Sequence, residues 1–267
     1  MHRFVVVLAL TCACAITPPR AHGEAAQTLS WRVIRTLPHD VSHFTQGLEI
    51  HRGRLLESVG RYGRSALYEK SLDTGAVMRQ APFPRDWFAE GVTVAHDRII
   101  VITWLEQIAQ VFDLDLRPVA QLRYSGEGWG LTHDGTHLIM SDGSATIRFR
   151  NAGDFSVARE IVVKDGAQPV TRLNELEYAR GRIYANVWMS DRVAVIDPRS
   201  GRVDAWLDFA ALRLRLRKPP GWDEREHVLN GIAYDTASDH FYLTGKCWPS
   251  LFEVALDALP AQSGNKR

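Results

Sequence analysis

One pattern of apolar and polar positions recurs five times along the chain. Each copy opens with a polar or aromatic residue, has glycine next in four of the five copies, and then alternates apolar with polar positions. Alternation with a period of two is typical of a β-strand that buries one face. The five openings occupy residues 46–50, 90–94, 129–133, 174–178 and 230–234.

Further apolar segments follow each opening and complete a repeat unit. A turn containing Asp or Gly leads to a second predicted strand, at residues 54–58, 98–104, 137–141, 182–188 and 240–246. Third strands are predicted at residues 66–68, 108–113, 145–149, 193–197 and 251–254. Most repeats add a fourth strand, as at residues 118–122.

Four strands in roughly 40–45 residues is the spacing of β-propeller blades. The chain is therefore predicted to be all-β, a five-bladed β-propeller with four-stranded antiparallel blades around a central channel. Residues 30–37 are predicted to form an extra strand that helps to close the ring.

The longest interval between openings holds an insertion at residues 210–228, with a basic run at 212–220. In a chain that is otherwise nearly neutral, such a run is typical of a solvated loop whose aliphatic residues pack beneath it. Insertions between blades often line a binding face, so this segment is also a candidate lid.

The first 23 residues have the pattern of a cleavable signal peptide. A short basic start at residues 1–3 precedes an apolar run at 4–16, and small residues follow at 21–23. The apolar run is too short to span a membrane. We therefore expect a periplasmic or secreted protein with residues 24–267 forming one propeller domain.

The cysteines fit the same interpretation. Cys12 and Cys14 would leave with the signal peptide, so Cys247 would remain as the single thiol and no intramolecular disulfide could form. The alternative, lipid attachment at Cys14, is less favoured because Thr11 stands where such sites usually have leucine.

Charge and composition narrow the classes of partner. Lys and Arg number 32 against 31 Asp and Glu, which gives a net charge of +1 and no field to attract nucleic acid or an anionic membrane. We expect a monomer that binds neither nucleic acid nor a membrane once the signal peptide is removed. Eight tryptophans are many for this length, and tryptophan is typical of pockets and interfaces.

The repeat predicts where a functional site should lie. The first strand of every blade runs along the channel of a propeller, so equivalent opening positions form a ring at one face. The ends of the adjacent second strands reach the same level. The ring combines carboxylates, amides, indoles and one ammonium: Gln46, Glu90, Trp129, Asn174, Glu175, Asn230, Trp104, Trp188 and Lys246.

Each of these residues has a purely structural explanation when it is taken alone. Glu90 fits a hydrogen-bonded channel acid, the tryptophans fit blade packing, and the amides fit loop caps. Lys246 fits a surface lysine whose stem covers Trp248. A purely structural repeat would nevertheless place one residue type at all five equivalent positions. The different residue types in this ring therefore indicate a functional site.

Other common chemistries have no sequence support. The chain lacks HExxH, CxxC, a glycine-rich phosphate loop and a nucleophile elbow. Neither a metal nor a cofactor is expected, and covalent catalysis is not indicated.

An ordered set of motifs spans residues 36–255 and all five blades. The segments FTQGL at 44–48, FAEGV at 88–92 and GWGL at 128–131 lie in the first three repeats. The segments LNELE at 173–177, NVW at 186–188, VLNGIA at 228–233 and LTGK at 243–246 lie in the last two, and Trp104 ends a second strand. Together they resemble the glutaminyl cyclases of the plant and bacterial type.

That resemblance implies a fold, a reaction and a set of site residues. The family is a five-bladed propeller that converts N-terminal glutaminyl residues of peptides and proteins into pyroglutamyl residues, releasing ammonia without zinc. It implies Glu90 as the catalytic acid and base. It implies a pocket formed by Phe44, Gln46, Trp104, Trp129, Asn174, Trp188 and Lys246.

The chemistry of cyclisation extends these assignments. A tetrahedral intermediate carries an oxyanion that needs fixed donors, and Lys246, Asn174 and Gln46 are the donors available. We therefore expect Glu90, Lys246 and Asn174 to be catalytic. Substrate binding is expected from Phe44, Gln46, Trp104, Trp129, Trp188, Glu175 and Asn230.

Two other function classes stay open at this point. A peptide-binding propeller without activity would keep the aromatic ring but would not need a carboxylate and an ammonium together. A metal-dependent propeller hydrolase, such as a lactonase, would place carboxylates and amides around one cation. Glu90, Glu175, Asn174 and Asn230 are the residues that could supply that set.

Overall fold

The structure is a computed structural model that describes residues 26–259. The predicted signal peptide, residues 1–23, lies outside the described residues. Residues 24–25 and 260–267 of the predicted propeller domain also lie outside them.

Antiparallel sheets make up nearly all of the described chain. Strands β1 (Gln27–Thr28) and β2 (Trp31–Pro38) come first and join sheets that form later. The next three sheets each take four consecutive strands. These strands are β3 (Thr45–His51), β4 (Arg54–Val59), β5 (Ala66–Ser71), β6 (Val77–Pro82), β7 (Ala89–Ala95), β8 (Arg98–Thr103), β9 (Ile108–Phe112), β10 (Pro118–Arg123), β11 (Leu131–His133), β12 (His137–Met140), β13 (Thr146–Asn151) and β14 (Val157–Val162).

The second half of the chain builds the remaining sheets and the insertion. A short hairpin precedes the fourth sheet, and one helix lies inside the insertion. These elements are β15 (Lys164–Asp165), β16 (Gln168–Pro169), β17 (Leu173–Ala179), β18 (Arg182–Val187), β19 (Arg192–Ile196), β20 (Val203–Asp208), α1 (Ala210–Arg213), β21 (Leu229–Asp235), β22 (His240–Gly245) and β23 (Ser250–Leu256).

The five sheets form a five-bladed propeller, as the repeat predicts. Their first strands, β3, β7, β11, β17 and β21, pack side by side in a closed ring around the axis. Apolar residues on the facing sides of adjacent blades fill the space between them, as Leu67 does with Val92 and Val101. The blades are therefore held together by apolar burial between the sheets.

An N-terminal strand closes the ring. The fifth blade takes β21, β22 and β23 from the end of the described chain and β2 as its outer strand, with Trp31 opposite Leu256 and Pro38 opposite Ser250. The extra strand predicted at residues 30–37 is thus confirmed, displaced by one residue. β1 pairs in parallel with β20 of the fourth blade, so this segment links two blades.

Four of the five inner strands carry a β-bulge at the opening of the repeat. The pairing shifts by one residue between Thr45 and Gly47, and equivalent shifts occur at residues 89–92, 173–176 and 229–232. A bulge leaves one residue unpaired and turns a side chain away from the ladder. In these four blades the opening therefore marks the place where the inner strand changes the direction of its side chains.

The glycines of the openings allow neighbouring inner strands to approach closely. A Cβ on Gly91 would lie 2.3 Å from the backbone nitrogen of Leu131, and one on Gly130 would lie 2.1 Å from the carbonyl oxygen of Asn174. Neither position has room for a side chain. The repeat thus uses glycine to bring the inner strands together at the mouth of the channel.

The insertion after β20 packs against the last two blades. Leu212 and Leu216 are buried in the core that the fourth and fifth blades share, whereas Leu214 is 87% exposed. The predicted solvated loop with aliphatic residues beneath it is confirmed for these two leucines. No helix within residues 26–259 is both long enough and apolar enough to cross a membrane.

Candidate active site

A cavity of about 330 Å³ lies at one end of the channel. The start of a first strand and the end of the second strand meet there because the two strands are antiparallel. Eight residues that the sequence predicts for the site line this cavity: Phe44, Gln46, Glu90, Trp104, Trp129, Asn174, Trp188 and Lys246. Seven of them belong to the ring derived from the repeat and Phe44 comes from the family resemblance, so most of that ring lines one concave site.

Two predicted substrate-binding residues do not line the cavity. Glu175 is fully buried, and its carboxylate accepts backbone N–H groups from Leu48 at 3.2 Å and Ile232 at 2.7 Å. Asn230 donates its Nδ2 to the carbonyl oxygen of Thr45 at 3.0 Å and to Gln46 Oε1 at 3.4 Å. The structure therefore places both residues outside the cavity wall, where Glu175 joins inner strands and Asn230 orients Gln46. Their role in substrate binding stays a prediction.

The Glu90 carboxyl is the central ionisable group of the cavity. Glu90 is 6% exposed, and its side chain has no hydrogen bond within the described residues. Burial raises the pKa of Glu90 well above its ordinary value, and the charges of Glu106 and Glu127 raise it further, while Lys246 opposes the rise. A carboxyl with a raised pKa holds its proton more tightly than an exposed glutamate, which suits a group that must both take and return a proton.

Lys246 brings a buried ammonium to the same cavity. It follows β22 directly, and its backbone N–H donates to the carbonyl oxygen of Val228 at 2.9 Å. Nζ lies 4.7 Å from the centroid of the Phe44 ring, within the range of a cation–π contact. Burial lowers the pKa of Lys246, and the charge of Glu90 counteracts part of this effect.

The amide side chains supply neutral hydrogen-bonding groups. The backbone carbonyl of Asn174 accepts the hydroxyl of Ser141 at 2.6 Å, which fixes the bulged strand. Asn174 Oδ1 is buried and has no partner among residues 26–259. Gln46 Oε1 is already engaged by Asn230, which leaves the NH₂ group of Gln46 for a ligand.

A single carboxylate holds two of the three tryptophans of the cavity. Glu127 Oε2 accepts the indole N–H of Trp104 at 2.7 Å and that of Trp129 at 2.9 Å. The Trp129 ring meets the Trp188 ring edge to face at 5.6 Å, and Phe88 meets Trp104 in the same way at 5.7 Å. The aromatic wall is therefore fixed before any ligand arrives.

The insertion contributes directly to the cavity. Arg225 and Glu226 form part of its wall, together with Arg61 and Phe88 from the first and second blades. Glu226 Oε2 lies 3.5 Å from Arg61 Nη2. The segment expected as a candidate lid thus stands beside the entrance.

A buried ionic network centred on Glu57 fixes chain segments that carry cavity residues. The carboxylate of Glu57 contacts His39 at 2.9 Å, His43 at 3.0 Å, Thr45 Oγ1 at 2.7 Å, and the ammonium of Lys70. The carbonyl oxygen of His43 accepts the backbone N–H of Cys247 at 2.8 Å. The network therefore holds the segments that carry Phe44, Gln46 and Lys246.

This network also contains ligand-type atoms, but an ammonium already lies among them. His39, His43 and Glu57 place one such atom each within 4.8 Å of one another. Lys70 bonds to both Glu57 and His43, so its charge already compensates the carboxylate. At the cavity, the metal set considered from the sequence is not assembled, because Glu175 and Asn230 lie outside it.

Comparisons with known proteins agree with this geometry. A family profile described as "Glutamine cyclotransferase" matches residues 6–256. A glutaminyl-peptide cyclotransferase of Arabidopsis thaliana is 36% identical over an alignment of 241 residues that covers 87% of this chain and 73% of the relative. The crystal structure of Myxococcus xanthus glutaminyl cyclase superposes with a TM-score of 0.81 at 37% identity, covering 87% of this chain and 98% of the other. The chain therefore belongs to the glutamine cyclotransferase family.

Proposed function

We propose that the protein is a glutaminyl-peptide cyclotransferase, which closes the N-terminal glutaminyl residue of a peptide into a pyroglutamyl residue and releases ammonia. The observation that carries this proposal is that a buried carboxyl, Glu90, and a buried ammonium, Lys246, line the same aromatic cavity. Family membership points to the same reaction.

The reaction needs one proton to move between two nitrogens. The α-amine attacks the carbon of its own γ-carboxamide, a new C–N bond forms, and the old C–N bond breaks as ammonia leaves. Glu90 takes a proton from the attacking nitrogen and gives it to the leaving nitrogen, so no net proton is consumed. Its raised pKa suits both transfers.

The developing oxyanion needs a donor that is in place before the reaction. The ammonium of Lys246 is buried over the Phe44 ring, so it can supply positive charge inside the cavity. The side-chain amides of Gln46 and Asn174 add neutral hydrogen bonds at the same end of the channel.

The aromatic wall folds the flexible side chain of the substrate. Ring closure requires the amine and the carboxamide carbon to come into contact. A close-fitting apolar wall restricts the substrate side chain to conformations in which these two groups are near each other, so the entropy is lost on binding and not in the chemical step. The wall formed by Trp104, Trp129 and Trp188 also excludes water, which disfavours simple hydrolysis of the amide.

Lys246→Ala is expected to lower kcat by about 10- to 100-fold and to change KM less. The lost interaction is a charged hydrogen bond made in the transition state, worth about 1.5–3 kcal/mol. Steady-state kinetics on a Gln-Ala peptide measure both constants, and Lys164→Ala on the exposed hairpin is the control. A change confined to KM would assign Lys246 to ground-state binding.

Glu127→Gln is expected to lower kcat/KM by about fivefold, because the two indole N–H groups lose a charged acceptor and keep a neutral one, a difference of about 1 kcal/mol. The variant also removes a negative charge that raises the pKa of Glu90. The acid limb of the pH profile of kcat/KM should therefore move to lower pH.

The pH profiles of kcat/KM for wild type and Glu127→Gln are measured on the same peptide. The substrate amine then titrates identically in both profiles, so a difference between their acid limbs comes from the enzyme. Glu160→Gln, an exposed carboxylate outside the cavity, is the control. An acid limb that stays in place would show that Glu127 does not influence Glu90.

Product identification tests the proposed function. Mass spectrometry of a Gln-Ala peptide incubated with the protein and a chelator should show loss of one ammonia and formation of the pyroglutamyl peptide. A glutamyl product would identify a hydrolase, and loss of activity with the chelator would indicate a metal-dependent enzyme. Binding without turnover would leave a peptide-binding propeller.

We further propose that the protein is exported and acts as a monomer outside the cytoplasm, on peptides and proteins that begin with glutamine. The signal-type pattern of residues 1–23 and the near-neutral charge support this proposal. N-terminal sequencing of the exported protein should begin at Glu24, and light scattering should give the mass of one chain. An intact N-terminus or a dimer mass would contradict it.

A further inference from the structure

The mouth of the cavity carries an unpaired cation. Arg225 belongs to the insertion, lines the cavity and is exposed. No carboxylate of residues 26–259 lies within salt-bridge distance of its guanidinium, whereas its neighbours Glu224 and Glu226 pair with other cations. An arginine without a partner at a cavity entrance is available for an anionic ligand.

The backbone around Arg225 is held in place. The carboxylate of Asp223 accepts the backbone N–H of Arg225 at 2.8 Å and that of Glu226 at 3.3 Å. Glu224 is bonded to Arg213 at 2.7 Å and also to Lys218. Binding therefore needs to order only the Arg225 side chain, because its backbone is already positioned.

The charges of the site are distributed along the direction in which a peptide enters. Glu90 lies inside the cavity with Lys246, and the Glu90 carboxyl is the group there that suits the α-amine of a substrate. Arg225 and Arg61 lie at the mouth, where only Arg61 has a carboxylate partner. A peptide with a positive N-terminus and negative charge just after it matches both ends.

The volume of the cavity decides which substrate residues reach the mouth. About 330 Å³ is near the lower limit for ligand pockets, but it exceeds the volume of one glutaminyl residue, so the cavity also has room for part of the next residue. The second and third residues of the peptide then pass the part of the wall that Arg225 forms.

We propose that Arg225 forms a subsite for acidic side chains at the second or third position of the peptide, so that this protein prefers acidic peptides that begin with glutamine. The inference rests on the proposed cyclase function. Arg225 is a specificity residue in this account and takes no part in bond formation.

Three amidated peptides test the subsite: Gln-Glu-Glu-Ala, Gln-Ser-Ser-Ala and Gln-Lys-Lys-Ala. Wild type should show kcat/KM in that order, with about two- to fivefold between successive peptides, the range of an exposed ion pair. The differences should shrink as salt is added. Arg225→Ala should flatten the series, and Arg225→Glu should reverse it.

Arg217→Ala, an exposed arginine of the same insertion that does not line the cavity, should keep the wild-type order. Equal kcat/KM for the three peptides, or an order that survives Arg225→Glu, would overturn the subsite and leave the cyclase function standing. Failure to convert even the neutral peptide would overturn the cyclase function, and the subsite with it.

Discussion

Replacing Glu90 by glutamine is expected to lower kcat for cyclisation by about 10²–10⁴-fold while leaving the fold and peptide binding largely intact. Glutamine keeps the shape of the side chain but can no longer take a proton from the attacking amine and return it to the leaving group. Because Glu90 is buried with a raised pKa, its neutral form is already tolerated by the fold.

Glu177→Gln is the matched control for this variant. Glu177 is also a buried carboxyl whose pKa burial raises well above the ordinary value, but it lies outside the cavity and accepts the backbone N–H of Tyr234 at 3.2 Å. It should keep the wild-type kcat. Unfolding curves and peptide binding of both variants separate a chemical effect from a structural one, and near-normal kcat in Glu90→Gln would remove Glu90 from the mechanism.

The pH dependence of the wild-type rate should also report on Glu90. As the pH falls through the raised pKa of Glu90, the carboxylate takes up a proton and can no longer act as the base. The rate should therefore fall toward acid at a pH above the ordinary range for a glutamate.

Glu57→Leu is expected to lower the free energy of unfolding by about 3–5 kcal/mol, because it leaves the buried ammonium of Lys70 without its carboxylate. Urea denaturation at neutral pH measures the loss. The double variant Glu57→Leu with Lys70→Met should recover part of it, since an apolar pair carries no unpaired charge. A single variant as stable as wild type would show that the ion pair does not support the fold.

The same ion pair predicts how stability depends on pH. Burial alone would raise the pKa of Glu57, but Lys70 and His39 lower it well below its ordinary value of 4.5. A lowered folded-state pKa gives stability that is present above the unfolded-state value and is lost as the pH falls toward the folded-state value. Wild type should therefore lose stability below about pH 4.5, and the double variant should lose less of it.

The fold and most of the cavity could be predicted because a propeller repeats one local pattern. Each blade must alternate apolar with polar positions and must turn at fixed intervals, so strand positions are visible in the sequence. Equivalent positions of the blades then meet at the axis. This placed seven cavity residues correctly, including Glu90 and Lys246, and the family resemblance added Phe44.

The bulges explain why Glu175 and Asn230 lie outside the cavity wall although they belong to the predicted ring. At the fourth and fifth openings two consecutive residues face one residue of the next strand, and they point in different directions. Asn174 turns to the cavity while Glu175 turns to the backbone of other inner strands. Sequence periodicity does not tell which of the two neighbours faces the ligand.

The charged residues that the sequence did not reveal lie outside the repeat. Glu127 precedes an inner strand, Glu106 lies in a turn, and Arg225 lies in the insertion, so none has an equivalent in the other blades. The partnership of Glu57 with Lys70 joins two strands of one blade and has no spacing signal. Such contacts are set by three-dimensional packing.

The initial rate of ammonia release from a Gln-Ala peptide, measured with a chelator for wild type beside Glu90→Gln, tests whether the protein is a metal-independent cyclase that uses Glu90. We expect chelator-resistant release by wild type, one ammonia for each pyroglutamyl product, and a rate reduced by about 10²–10⁴-fold in the variant. Equal rates for the two proteins, or no release by a correctly folded wild type, would contradict it.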